Sequence, residues 1–403
     1  MVQPLARGSS KFERNLTAFA ALWGGFALAL LLTGCDRESS ESRPAPSAAA
    51  APGPASAAPG PSAPPPVAEL PNARPGSAMD APHKVEHNDQ AMGTSIHLVS
   101  VTSARAPEAV CKKAMHDAVE EIRRLEALMT TFRPESELSQ ANAHAGEFWP
   151  IHADTFEVIE RGIWAGQISD GAFDITFHTL GDLWKFGSIA EPNPTPPSRA
   201  EAKRRAAFVD YRLVELDKAG SRVRVPPGRA IDLGGIAKGF AVDRAAAVLR
   251  KAGIESFLVQ AGGDLYGAGK KPDGSPWVSG VQDPRGEKGS YFATLPLTDH
   301  AFSTAGDYAR SFIKDGRRYH HIIDPKTGYP ATASRSVTIW APTALVADAI
   351  DDAVFILGPK RGLELVESLD GVGALIVDKK NQVWVSERLK GHVKLLRAPT
   401  DGP

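Results

Sequence analysis

The stretch from Asp36 to Pro82 sets the limits on what this chain can fold into. It consists mainly of Ala, Pro, Ser and Gly and contains few large apolar residues. Such a composition cannot bury enough surface to offset the conformational entropy that ordering would cost. We therefore expect an extended, semi-rigid linker over residues 35–82, with a single globular domain in residues 83–403.

The segment before this linker has the layout of an export signal. A basic start is followed by an uncharged, mostly apolar run from Leu16 to Gly34, which ends in the sequence LTGC at Cys35. This ending is a lipobox, in which small residues admit the signal peptidase and the cysteine thiol accepts diacylglycerol. Residues 1–34 are therefore predicted to be a lipoprotein signal, with Cys35 lipidated. A plain transmembrane anchor is the alternative, because about 20 apolar residues span a bilayer.

The residue after Cys35 bears on localisation. Asp36 resembles an inner-membrane retention signal of lipoproteins. We expect a lipid anchor in the bacterial inner membrane with the domain facing the periplasm, and the outer membrane as the alternative. If Cys35 is acylated, Cys111 has no disulfide partner, and its place in an amphipathic helical pattern predicts a small buried residue.

Composition and periodicity favour an α+β enzyme. The net charge of −1 gives no general reason to expect a nucleic-acid partner. Apolar residues recur at helical spacing over 107–131, 153–168, 239–252 and 344–357, with Gly358 as the stop of the last helix. Strand-like stretches alternate with these helices, among them 85–101, broken by a turn at 92–94, and 256–260, 277–282, 291–297 and 373–378.

Three aspartates share one face of the last predicted helix. Asp348, Asp351 and Asp352 are spaced by three and four residues, and most other residues of this helix are apolar. Carboxylates packed together on such a helix would repel one another unless something neutralises them. A hard cation with oxygen ligands, Mg²⁺ or Ca²⁺, is the natural counter-charge. The alternative is a solvated face near the helix N-terminus, where Asp is favoured in any case.

Three glycine-rich or small-residue stretches could approach a phosphate. In 232–239 a strand end, paired glycines and a helix start offer backbone N–H groups, and Lys238 adds a positive charge. An ordinary strand-to-helix turn explains the same residues. The glycines of 261–264 permit close backbone approach, and the small residues and hydroxyls of 303–308 are typical of a phosphate-binding turn or of a simple loop.

The sequence HHIIDPKTGYP over 320–330 is the most specific stretch. Its Asp-Pro and Thr-Gly-Tyr-Pro segments are turn formers and predict a rigid loop. A histidine directly before such a loop can act as a base or phosphate ligand. From these residues alone, a structural role and a catalytic role stay equally open.

Taken together and in this order, these stretches resemble the ApbE family, the FAD:protein FMN transferases. The resemblance covers nearly all of residues 84–392 and includes MGT at 92–94, TTFRPESEL at 130–138 and GAFDIT at 171–176. It implies a single T-fold-like α+β catalytic domain. By this resemblance, the positions that contact FAD are Met92, Phe132, Ala172, Phe173, Asp174, Asp232, Lys238 and Ile323. The positions that match the metal site are Gly235, Asp348, Asp351 and Asp352.

Two positions depart from the family pattern. Phe132 stands where the family often has tyrosine, so a stacking contact with flavin survives but a hydroxyl contact does not. Asp352 stands where the family usually has threonine, which replaces a neutral oxygen with a carboxylate and bears on the preference between Mg²⁺ and Ca²⁺.

The resemblance also implies a reaction. A threonine hydroxyl on an acceptor redox protein attacks the FMN-side phosphorus of FAD, and AMP leaves. His321, or in second place Asp307, would accept the threonine proton. A metal-dependent FAD pyrophosphatase and a non-catalytic flavin-binding lipoprotein are the alternatives, because the acceptor lies on another chain.

Overall fold

The computed structural model describes residues 81–186 and 194–402. The signal, Cys35 and most of the linker lie outside these residues. No helix within the described ranges is long and apolar enough to cross a membrane.

Both helices and strands build the domain, so the α+β prediction is confirmed. The described residues form six α-helices, which are α1 (Glu108–Met129), α2 (Glu137–Ala143), α3 (Ala153–Ile168), α4 (Arg199–Ala206), α5 (Ala237–Lys251) and α6 (Ala344–Glu367). Short 3₁₀ helices lie at Ile175–Leu183, Tyr211–Leu213 and Glu387–Leu389.

The strands are, in chain order, β1 (Lys84–Ala91), β2 (Thr94–Val101), β3 (Phe148–Pro150), β4 (Glu215–Asp217), β5 (Arg222–Arg224), β6 (Phe257–Ala261), β7 (Asp264–Ala268), β8 (Trp277–Gln282), β9 (Tyr291–Leu297), β10 (His300–Gly306), β11 (Ser311–Lys314), β12 (Arg317–His320), β13 (Ile323–Asp324), β14 (Tyr329–Pro330), β15 (Ser334–Ala341), β16 (Gly373–Asp378), β17 (Val383–Val385) and β18 (Lys394–Leu395).

One antiparallel sheet of eight strands organises the domain, in the order β1-β2-β6-β7-β10-β15-β16-β17. Its two faces are covered by different layers. Ala374 and Ile376 of β16 belong to the core that also contains α1, α5 and α6. Leu375 and Val377 belong to a second core with β8 and β9. Because side chains alternate along a strand, β16 is buried on both sides.

The central strand β10 corrects one expectation. Residues 303–306 were expected to form a turn, but they continue β10, which pairs with β7 on one side and β15 on the other. Small residues occupy this strand because α6 packs directly over it. Strand β15 lacked any sequence prediction, although Val337, Ile339 and Ala341 alternate with the period of two that marks a strand.

Helix α6 is interrupted where its stop was predicted. Gly358 has φ of +73°, the left-handed conformation that glycine adopts without a Cβ penalty. Pro359 begins a second helical segment that runs to Glu367. The predicted stop at Gly358 is therefore confirmed, and Asp348, Asp351 and Asp352 all precede it.

Cys111 is fully buried in α1, as expected, and its thiol lies 3.4 Å from the carbonyl oxygen of Ala106. Burial raises the pKa of this thiol above its ordinary value.

Candidate active site

Three carboxylates, two from α6 and one from β7, converge. Asp348 and Asp351 of α6 and Asp264, the first residue of β7, are all buried. Each offers an oxygen within 4.8 Å of those offered by the other two. Asp352 is partly exposed. Asp264 was singled out in the sequence only as the neighbour of two glycines, so its carboxylate is an addition to the predicted acidic set.

Lys238 provides the positive charge that these carboxylates share. Its Nζ lies 2.8 Å from Asp264 Oδ2 and 3.0 Å from Asp348 Oδ1. Burial alone would lower the pKa of this lysine, but the charges of Asp264 and Asp348 outweigh burial and raise the pKa above its ordinary value. Lys238 is therefore held as an ammonium. The sequence predicted it as a contact for FAD, and the structure places it among the carboxylates.

One ammonium does not neutralise the whole cluster. Burial and Asp264 raise the pKa of Asp348 to about 7, against the pull of Lys238. Burial, with the charges of Asp352 and Asp348, raises the pKa of Asp351 well above its ordinary value. Burial raises the pKa of Asp352 to about 6. The cluster thus carries more negative charge than Lys238 can balance, and protons take up the excess.

Ser303 bridges two of these carboxylates. Its hydroxyl lies 2.6 Å from Asp351 Oδ2 and also contacts Asp264 Oδ1. A serine hydroxyl has one hydrogen, so it can donate to only one of the two carboxylates. Whichever carboxylate does not receive this hydrogen needs a proton or a cation of its own at so short a distance from the hydroxyl oxygen.

These residues fit a hard divalent cation. Carboxylate oxygens are the ligands that Mg²⁺ and Ca²⁺ prefer, and a divalent charge would balance the excess that protons balance here. Gly235 lies at the same place: a Cβ there would meet Asp352 Oδ2 at 3.5 Å and the Phe173 ring at 3.1 Å. The predicted metal positions Gly235 and Asp352 are thus adjacent, and a side chain at 235 would crowd the space between them.

Two other predicted flavin positions, Asp232 and Phe132, are connected through Thr131. Asp232 accepts hydrogen bonds from the Thr131 hydroxyl at 2.8 Å and from the Gly234 amide at 2.7 Å. The contact with Thr131 fixes the loop that presents Phe132, whose side chain is 85% exposed. An aromatic face this open is available for stacking.

Phe173 and its neighbours are less accessible. Ala172 and Phe173 are buried, and Phe173 contacts the Gly235 turn. Asp174 uses both carboxylate oxygens internally: it accepts from Thr176 and from the Tyr211 amide at 2.9 Å. Burial raises the pKa of Asp174. The structure thus gives Asp174 the role of holding this loop in shape.

The two remaining predicted flavin positions, Met92 and Ile323, lie in two hairpins. Met92 occupies the β1–β2 turn with φ of +52°. This turn adjoins Gly262, where a Cβ would lie 2.5 Å from the Thr94 hydroxyl. Ile323 begins the short hairpin β13–β14, two residues after His321.

His320 and His321 have different environments. His320 is tied into the fold, with Nε2 2.8 Å from the Ala331 carbonyl and Nδ1 accepting from the Ile322 amide. His321 Nδ1 is buried and has no hydrogen-bond partner among the described residues. Burial, with the charges of Arg310 and His320, lowers the pKa of His321 to about 3. At neutral pH His321 is therefore a neutral imidazole, and its Nδ1 is unpaired among the described residues.

Asp307, the other predicted proton acceptor, is engaged. Arg285 donates to both of its oxygens, at 2.7 and 2.8 Å, and both side chains are almost fully buried. This bidentate guanidinium contact occupies the carboxylate oxygens that would take a proton. This pairing favours His321 over Asp307 as the acceptor.

The fold and the site define an α+β enzyme domain with a buried acidic centre beside a basic residue. The ApbE family model matches residues 92–376. The chain belongs to the ApbE family.

Relatives of known name span most of the domain. The FAD:protein FMN transferase of Haemophilus influenzae is 33% identical over 301 residues, which are 72% of this chain and 85% of that protein. The FAD:protein FMN transferase of Treponema pallidum is 32% identical over 313 residues, or 73% of this chain and 85% of that protein.

Solved structures agree with this assignment. The ApbE protein of Thermotoga maritima has 35% identity and a TM-score of 0.70, covering 77% of this chain and 99% of that one. The flavin transferase ApbE of Vibrio cholerae has 28% identity and a TM-score of 0.69, with the same coverage.

The raised pKa values predict how a cation stabilises the protein. The folded state binds protons on Asp348 and Asp352 up to about pH 6–7, whereas the unfolded chain releases them near pH 4. These two groups therefore stabilise the cation-free protein at low pH, and this contribution is lost as the pH rises through 6–7. Cation binding replaces these protons, so Mg²⁺ or Mn²⁺ should raise the melting temperature more at pH 8 than at pH 5.5. Differential scanning calorimetry measures this.

The matched control is the double variant Asp348→Asn, Asp351→Asn, in which the cation should have no effect at either pH. A cation-induced rise in melting temperature that is equal at both pH values in the wild-type protein would contradict the assignment of these carboxyls.

Proposed function

We propose that this chain is an FAD:protein FMN transferase that needs a divalent cation, Mg²⁺ with Ca²⁺ as the alternative. The observation that carries the proposal is the buried excess of carboxylates at Asp264, Asp348 and Asp351 beside one lysine, in a chain whose relatives bear that name. A pure flavin-binding protein has no need of such a centre, because its burial costs free energy that binding alone would not recover.

The reaction joins a threonine of an acceptor redox protein to FMN. The threonine oxygen forms a bond to the FMN-side phosphorus of FAD, the bond from that phosphorus to the bridging oxygen breaks, and AMP leaves with the bridging oxygen. The threonine proton passes to His321 Nδ1, which is buried, neutral and without a partner in the described structure. Phosphoryl transfer depends mostly on alignment and on electrostatic stabilisation.

The residues of this chain divide the work. A cation held by Asp348 and Asp351, with Gly235 and Asp352 beside them, would neutralise pyrophosphate charge as a Lewis acid. Lys238, at the start of α5, would add positive charge beside the same anion. Phe132 offers an exposed ring to the flavin, and Asp232 keeps that loop in place through Thr131.

Metal-dependent transfer is directly testable. The full chain, purified in mild detergent, is incubated with FAD, Mg²⁺ and an acceptor domain that carries a flavinylation threonine. Intact mass spectrometry should show the acceptor gaining one FMN, and EDTA should prevent the gain. Asp348→Ala should abolish transfer, and His321→Gln should slow it by about 10²–10⁴-fold.

His320→Gln is the control for His321, because that ring bonds only to backbone in the described structure. We expect His320→Gln to lower the melting temperature. At a temperature where this variant is folded, its rate of transfer should fall little. Formation of AMP and free FMN with an unmodified acceptor would instead establish a pyrophosphatase. Full transfer by Asp348→Ala would contradict the metal assignment.

We also propose that lipidation at Cys35 anchors the enzyme to the inner membrane on its periplasmic side. The support is the LTGC sequence, Asp36 and the Ala/Pro linker, which would give the domain reach towards acceptors at the membrane. In cells supplied with labelled palmitate, the wild-type chain should carry label and sediment with inner membranes, and Cys35→Ser should carry none. Label on Cys35→Ser would contradict lipidation at Cys35. Sedimentation of the wild-type chain with outer membranes would contradict the inner-membrane location.

A further inference from the structure

The N-terminus of α6 is held by a side chain from α5. The Ala344 and Leu345 amides donate to the two carboxylate oxygens of Asp243, each at 2.8 Å. The next amide, of Val346, donates to the Thr343 hydroxyl at 3.3 Å. The first amides of a helix have no partner within the helix. Here a carboxylate from a neighbouring helix takes up two of them and favours the positive end of the helix dipole.

A second contact joins the same two helices one turn further along. The Gly239 amide donates to Asp348 Oδ2 at 2.8 Å. Gly239 leaves no room for a side chain, since a Cβ would lie 2.2 Å from the Ala344 carbonyl oxygen and 2.7 Å from Asp348 Cβ. The backbone of α5 therefore lies directly against α6 at the residue that binds Lys238.

These two contacts are spaced by four residues on both helices. Asp243 lies four residues after Gly239 in α5, and Ala344 lies four residues before Asp348 in α6. Four residues are about one helical turn, or 5–6 Å. Two fixed points one turn apart prevent α6 from sliding along α5 or rotating about its own axis, and both motions would carry the Asp348 carboxylate away from Lys238 and Asp264.

Asp243 is itself outside the acidic cluster. Both of its oxygens are used by amides of α6, and the charged groups that face it are Arg250 and Glu157. Burial raises the pKa of Asp243 to about 6, against the pull of the two amides. At pH 7.5 it is therefore ionised, and its effect on the cluster passes through α6.

We propose that Asp243 is a positioning residue of the cation site: by fixing the first turn of α6 against α5, it sets the place of the Asp348 carboxylate. The inference rests on the proposed cation site but not on the transfer reaction. Residues that orient a metal ligand without touching the metal commonly change metal affinity by about 10–100-fold.

Asp243→Asn is the sharpest variant because it keeps the shape of the side chain. An asparagine retains one acceptor oxygen and turns an NH₂ group towards an amide N–H of α6, so one of the two hydrogen bonds is lost and two donors face each other. We expect Mn²⁺ to bind the full-length Asp243→Asn chain about 10–100-fold more weakly than wild type at pH 7.5, measured by isothermal titration calorimetry.

Asp154→Asn is the matched control for loss of stability. Asp154 is also a buried carboxylate between helices, accepting from Arg124 of α1 at 2.5 Å and from Arg244 of α5. Among the described residues, no hydrogen bond or ion pair of Asp154, Arg124 or Arg244 involves α6. Its replacement should lower the melting temperature and leave Mn²⁺ affinity within about twofold of wild type.

The outcomes separate clearly. Weak Mn²⁺ binding by Asp243→Asn, with normal binding by Asp154→Asn, supports the positioning role. Normal Mn²⁺ binding by a folded Asp243→Asn, or equal weakening in both variants, overturns it. If Asp243→Asn does not fold, Asp243→Glu serves instead: it keeps the charge but is one methylene longer, and wild-type affinity in that variant would overturn the role. Wild-type protein that binds Mn²⁺ normally but transfers no FMN would refute the proposed function and leave this inference standing.

Discussion

Helices α5 and α6 touch at Gly239, where the backbone of one helix lies against the other with no side chain between them. This close approach allows the Gly239 amide to bond Asp348 and brings Lys238, at the start of α5, against the carboxylates of α6 and β7. A residue larger than glycine would push the helices apart by more than a packed interior can absorb. The placement of Lys238 relative to Asp348 follows from this contact.

The buried carboxylates of the centre carry more negative charge than Lys238 can balance. Buried carboxylates with one ammonium are costly, because burial penalises each uncompensated charge. The protein reduces the cost through protonation, as the raised pKa values of Asp348 and Asp351 indicate. In the function we propose, a divalent cation would replace these protons and place its positive charge beside a pyrophosphate.

The sequence predicted much of this site because helical spacing translates directly into a shared face. Asp348, Asp351 and Asp352 could be recognised by offsets of three and four on an apolar helix, and Gly358 could be recognised as its end. The sequence could not predict contacts between segments that are distant in the chain. Asp264 and Ser303 join the cluster only because β7 and β10 pair beneath α6.

Two further sequence interpretations depended on contacts that the sequence does not reveal. Residues 303–306 resemble a turn because small residues and hydroxyls suit turns, yet here they are small because α6 packs over β10. Asp307 looked available for proton transfer, and only the fold reveals Arg285 opposite it. The helical and strand-like periodicity of apolar residues predicted the α+β class. The order of the strands depends on long-range pairing, which no short pattern in one sequence encodes.

The central claim is that the carboxylates under α6 hold a divalent cation. Crystals of the protein grown with Mn²⁺ would test it most directly, through anomalous scattering recorded near the manganese edge. We expect a single strong anomalous peak within about 2.0–2.6 Å of carboxylate oxygens of Asp348 and Asp351. Manganese bound elsewhere, with Lys238 still bridging Asp264 and Asp348 and no peak between the carboxylates, would contradict the account.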